Sequence, residues 1–136
     1  MFTGSSKFEF ADRLALQLSV QLVMSPVPSA GRTKIEVERG SINKKALGYI
    51  YGFIAGGLRS RDQEITDYEV GLPILYHILQ KLFPFHERAY MDFLMNHIAD
   101  ELVIVGIKAG RKDYKDLLHS GTPPFGLAQF ILDDGA

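Results

Sequence analysis

The chain of 136 residues contains no cysteine. That absence excludes disulfides, thiolate metal sites, iron–sulfur clusters and a cysteine nucleophile together. Net charge is nearly absent as well: 15 Lys and Arg stand against 16 Asp and Glu, giving −1 with neutral histidines. This balance removes the general electrostatic case for a nucleic-acid partner or an anionic membrane surface. Long apolar runs are also missing. The longest, Ala46 to Leu58, is bracketed by Lys44, Lys45, Arg59 and Arg61. It falls well short of the roughly 20 residues a spanning helix needs, so no membrane partner is expected. The opening MFTGSSKFEFADR lacks a basic region followed by unbroken apolar residues. No signal peptide is expected there, and a cytoplasmic location follows by elimination.

The chemical signatures are absent in the same way. There is no Gly-x-x-x-x-Gly-Lys-Ser/Thr, Gly-x-Gly-x-x-Gly, Gly-x-Ser-x-Gly or His-Glu-x-x-His in the chain, and each encodes a particular phosphate, nucleophile or zinc geometry. Asp62 to Glu69 offers carboxylates without the spacing or central glycine of an EF-hand loop, and reads as a solvated connector. No cofactor is expected, and no catalytic motif stands out.

What remains is 46% hydrophobic and 23% charged, the composition of a folded globular chain. The length suits one helical domain over residues 1–136, with residues 122–136 as a docking C-terminal tail. The patterning is mainly α, a single-layer bundle of about five helices. Ser6-Lys7-Phe8-Glu9 has the form of a capping box, predicting a helix from about Lys7 to Met24. On that helix Leu16 and Val20 fall off the apolar face. Leu14 to Leu22 also alternates as a strand would, so a short N-terminal β-hairpin over residues 13–38, with Thr33 to Glu38 as partner, stands as the alternative. Ser25 to Arg32 is a loop by its prolines and glycine. A second helix is predicted from Ser41 to Leu58, and a third from Pro73 to before Pro84. A long fourth helix runs from Pro84 to Ala109 with Gly110 as its C-cap. A short fifth spans Asp113 to His119, stopping at Ser120-Gly121.

Three features could carry function. The second helix places Gly48, Gly52 and Gly56 on one side, at a cost of about 1 kcal/mol each relative to alanine. A side-chain-free stripe serves close approach, to another helix of the same chain, to a second copy across a two-fold, or to a cofactor lying against it. After Pro123-Pro124 the tail presents Phe125, Phe130 and Ile131, which must cover the chain's own core or reach a partner subunit. On the fourth helix His97 and Glu101 stand one turn apart inside an apolar arc, and can hydrogen-bond or share a metal ion. His86, Asp67 or a second copy of the chain across a two-fold would supply the further ligand, and Tyr49, Tyr51 or Tyr90 would line the aromatic pocket. His77 lies outside its helix's apolar arc and reads as exposed. His119 suits the negative end of a helix.

These readings give two functions. The first is a small cytoplasmic helical binding or assembly protein, a homodimer or a binder of another protein, acting through the glycine face and the tail. The second is a metal-binding or acid/base enzyme built on His97 and Glu101.

Overall fold

The computed structural model describes residues 4–25, 32–38 and 41–134. In chain order these form α1 (Gly4–Val23), β1 (Glu36–Glu38), β2 (Ser41–Ile42), α2 (Lys44–Arg59), α3 (Gly71–Leu82), α4 (Glu87–His97), α5 (Glu101–Ser120) and α6 (Gly126–Asp134). The chain is mainly α, and among the described residues there is one two-stranded antiparallel sheet, pairing Glu36 with Ile42 and Glu38 with Ser41. Most of the loop predicted at Ser25–Arg32 (residues 26–31) lies outside the described residues. No helix among the described residues is long and apolar enough to cross a membrane.

Residues 13–23 are helical, so the strand alternative for them fails. Burying Phe10, Ala11, Leu14, Ala15, Leu18 and Leu22 on one face removes more apolar surface than an isolated hairpin could. Part of Thr33–Glu38 does form a strand, yet its partner is Ser41–Ile42, the nearest segment along the chain. Ser41 is therefore a strand residue. The N-cap of α2 is Asn43, whose Oδ1 accepts from Ala46 N at 3.0 Å. At the other end of α1, the Lys34 ammonium donates to the carbonyls of Leu22 at 2.6 Å and Ser25 at 3.3 Å, a cation at the negative helix end.

The predicted fourth helix divides. Pro84, Phe85 and His86 form a turn with Phe85 at φ 73°, and α4 begins only at Glu87. It ends at His97, and Asp100 restarts the helix as an N-cap, its Oδ1 accepting from Leu102 N at 2.9 Å. A short acceptor side chain competes with the helical ladder at such a position. Lys44 Nζ lies 2.8 Å from Asp100 Oδ2, ties the starts of α2 and α5 together, and holds the Asp100 carboxyl below its ordinary range. The segment after Gly110 is not a separate helix. Gly110 is interior to α5, and the C-cap is Gly121 in the left-handed conformation at φ 67°.

The centre of the fold is α2, buried from Ala46 almost without interruption to Leu58. Its glycine stripe meets α5 of the same chain. A methyl group on Gly48 would overlap the Val103 carbonyl, and one on Gly52 the Ile107 carbonyl. The approach is reciprocal, because Gly106 faces the backbone of Lys45 and Tyr49, and Gly110 that of Tyr49 and Phe53. The paired numbers rise together, so the helices run parallel. Two Gly-x-x-x-Gly segments thus interlock backbone to backbone. Beyond them Tyr114 enters between the helices, its Cβ only 3.3 Å from where a Gly56 methyl would stand, and the backbones part.

Replacing Gly52 by alanine should therefore cost about 2 kcal/mol or more, through overpacking against an immovable backbone. Gly56→Ala faces a side chain instead, and the roughly 1 kcal/mol returned in helix propensity offsets the crowding. Urea unfolding of both variants reads this contrast. Equal losses would show that close backbone approach is not what the stripe serves.

Candidate functional site

His97 and Glu101 do not form a pair. The helix they were to share is interrupted between them, leaving His97 as the last residue of α4 and Glu101 as the exposed first residue of α5. His97 donates through Nδ1 to the Phe93 carbonyl at 2.9 Å, and its ring stacks on Phe93 at 4.1 Å. The tyrosines of the expected pocket point elsewhere: Tyr49 Oη to Asp113 and Tyr90 Oη toward the hairpin. Asp67 accepts at Oδ1 from Glu69 N and Val70 N, closing the turn before α3. Among the described residues no three His, Asp or Glu side chains gather as a metal ion would require.

His86 belongs to a different cluster. Its ring stacks on Tyr90 at 5.6 Å, and Nδ1 lies 4.0 Å from Glu36 Oε1. Tyr90 Oη donates to Glu36 Oε1 at 3.0 Å and lies 2.5 Å from Thr33 Oγ1. This group fastens the hairpin to α4. Sequence reasoning missed it because Thr33 to Glu38 carried only a strand period. His77 is half-buried rather than exposed. Its Nε2 lies 2.9 Å from Asp12 Oδ1, joining α3 to α1 and holding the Asp12 carboxyl below its usual range.

The tail is held by a buried polar relay that begins on α1. The Gln21 side chain is 1% exposed. Its Nε2 donates to Tyr49 Oη at 3.1 Å, and its Oε1 accepts from Leu127 N at 2.8 Å and Ala128 N at 3.4 Å. Tyr49 Oη donates to Asp113 Oδ2 at 2.6 Å, and that oxygen also accepts from Gly126 N at 3.0 Å. The first backbone donors of α6 have no partners within their own helix. Gln21 and Asp113 supply them from two other helices, with the Asp113 carboxylate at the positive helix end. Asn43 adds Nδ2 to the Phe130 carbonyl at 3.1 Å. No family model, curated protein or solved structure matches this chain.

Docking in this way sorts the tail residues. Leu127 is buried, while Phe130 and Ile131 pack against the chain's own core. Phe125 and Leu132 face outward, 53% and 58% exposed. On the outer side of α1 and just past its end, Leu16, Val20, Val23 and Met24 are 50% to 79% exposed. Met24, Phe125 and Leu132 line one shallow groove of about 260 Å³. The residues from Leu14 to Ser25 and from Gly121 to Leu132 include no charged side chain. Two uncharged stretches far apart in sequence therefore meet at Met24.

Gln21→Leu should strand the Leu127 and Ala128 amides, costing about 1–3 kcal/mol. Amide hydrogen exchange should then show α6 losing protection while α2 and α5 keep theirs. Unchanged α6 amides would mean that the relay does not hold the tail. Burial, and then the proton shared with Asp113, push the Tyr49 hydroxyl far above its ordinary 10, and burial raises Tyr90 as well. The unfolded chain releases these protons near pH 10 while the folded chain keeps them. Stability is thus whole below about pH 10 and falls as pH climbs, by up to about 1.4 kcal/mol per pH unit for each tyrosine. Urea unfolding at rising alkaline pH should show a shallower decline for Tyr49→Phe than for the parent chain.

Proposed function

We propose that this protein is a helical binding and assembly module whose α1–α6 surface receives a second copy of the same chain. One observation carries this reading. Six large apolar side chains, Leu16, Val20, Val23, Met24, Phe125 and Leu132, stand at least half exposed on two uncharged stretches that meet at Met24. Soluble monomers rarely expose contiguous apolar surface beyond a few hundred Å². Depletion of charge at the centre is the compositional mark of an interface core.

A second copy suits the surface better than a charged partner. Neutral faces can meet each other without burying an unpaired charge on either side. The α1 residues recur at intervals of four and three, so two copies can interdigitate antiparallel about a two-fold. A stable interface takes about 800 Å² per partner. Four side chains on one helix fall short of that, so the contribution of α6 is part of the proposal. The glycine stripe is spent on the internal crossing and has no place in it.

Sedimentation equilibrium across the micromolar range should give a dimer. Val20→Glu should give a monomer that keeps the parent's helical circular dichroism, because Val20 is already 50% exposed in one chain. Its melting temperature should fall to that of the dissociated parent, as the dimer's mass-action stabilisation is lost. A parent chain that stays monomeric throughout, or a Val20→Glu variant that stays dimeric, would overturn the reading.

A further inference from the structure

A second surface has the opposite character. Where Tyr114 forces α2 and α5 apart, a cleft of about 550 Å³ opens between their C-terminal halves and the connector leading to α3. That size lies within the range of small-molecule sites. Its walls are Ile65, Leu118 and the Tyr114 ring, with the bare backbone of Gly56 between them. The Tyr114 ring is fixed edge-on to Phe53 at 5.3 Å, so the apolar wall is already in place.

The charges around this cleft do not balance. Its one carboxylate, Glu64, is matched by Arg59 at 2.9 Å. The neighbouring carboxylates of α5 are engaged too: Asp113 with Tyr49 and Gly126, and Asp116 with Lys112 at 2.8 Å. Arg111 and Lys115, one turn apart on α5, line the cleft and make no ion pair among the described residues. Like charges at that spacing repel, which a helix does not need for its own sake. The helix dipole accounts for His119 in the last turn. It has faded by Arg111, more than two turns inside the end.

We propose that this cleft binds a small organic carboxylate, its apolar body against Ile65, Leu118 and Tyr114 and its carboxylate on Arg111 and Lys115. Guanidinium and ammonium donors together satisfy a carboxylate with charge-assisted hydrogen bonds. A phosphate fits less well. The cleft lies at the C-terminal halves of both helices, so no helix N-terminus contributes donors, and inorganic phosphate has no apolar body to cover Ile65, Leu118 and Tyr114. This inference stands apart from the α1–α6 surface and does not rest on it.

Octanoate, octanamide and inorganic phosphate distinguish the possibilities, with calorimetry for affinity and NMR shifts for location. Octanoate should bind and shift the resonances of Tyr114 and Leu118. Octanamide, with the same chain and no charge, should bind about tenfold more weakly, as should octanoate to Arg111→Gln or Lys115→Gln, the loss of one charge-assisted bond. Both cations are exposed, so these variants keep the fold, which circular dichroism checks. Several results would overturn the proposal. These are no octanoate binding at millimolar concentration, equal affinity for the amide or for phosphate, indifference to both substitutions, or shifts confined to Met24 and Phe125.

Discussion

Backbone contact between α2 and α5 constrains the rest of the molecule, because at Gly48, Gly52, Gly106 and Gly110 no side chain separates the two helices. Two helices that close must keep a single register. A slip by one residue would drive a side chain into a carbonyl, and interiors do not absorb such overlap. The register places Tyr49 where its main chain meets Gly106 and Gly110 and its hydroxyl reaches both Gln21 and Asp113. It also lays the two helix starts side by side, where Asp100 caps α5 and binds Lys44 of α2. At the other end Tyr114 replaces glycine as the spacer and the helices separate. The same crossing thus builds the anchor for the tail and opens the cationic cleft.

Tyr49 carries that constraint outward. A buried tyrosine hydroxyl requires partners, and this one joins α1 to α5 while its ring meets Phe53 at 6.0 Å and Phe130 at 6.3 Å. The two polar groups it links, Gln21 and Asp113, then cap α6. The tail helix has only nine residues, too short to hold itself together in water. It exists because its amides and its apolar face are met by other helices. Docking it turns Phe125 and Leu132 outward beside Met24, so the meeting of the two uncharged stretches is a consequence of how the tail is fastened.

The molecule ends with two surfaces of contrasting chemistry. The α1–α6 face has apolar area from two stretches that carry no charged side chain, with Lys34 at its edge, which favours contact with a like face. The cleft between α2 and α5 has apolar walls with unmatched cations on one side, which favours a small anion. They lie on different elements, and neither uses the His97–Glu101 pairing that the sequence had brought forward.

The amphipathic helices, the central apolar helix, the glycine stop after Ser120 and the exposure of Leu16 and Val20 were all legible, since periodicity and local capping determine them. The break at Asp100 was legible in part. A histidine before it and a glutamate after it are the charges expected at a helix end and a helix start. They were read instead as a pair on one continuous helix, because nothing local separates a mid-helix Asp from an N-cap until Lys44 draws it aside. Gly110 misled for a similar reason: a glycine near a helix end and a glycine at a crossing look alike until the partner helix is known. Glu36 with Tyr90, and Gln21 with Leu127, are 54 and 106 residues apart, beyond the reach of any local pattern. By itself the sequence determined that the chain is mainly helical and which faces of its amphipathic helices are apolar, because backbone propensity and side-chain period act over a few residues. Only the tertiary structure decided which face meets which, and so where the glycines are spent, what holds the tail, and which charges are left without a partner.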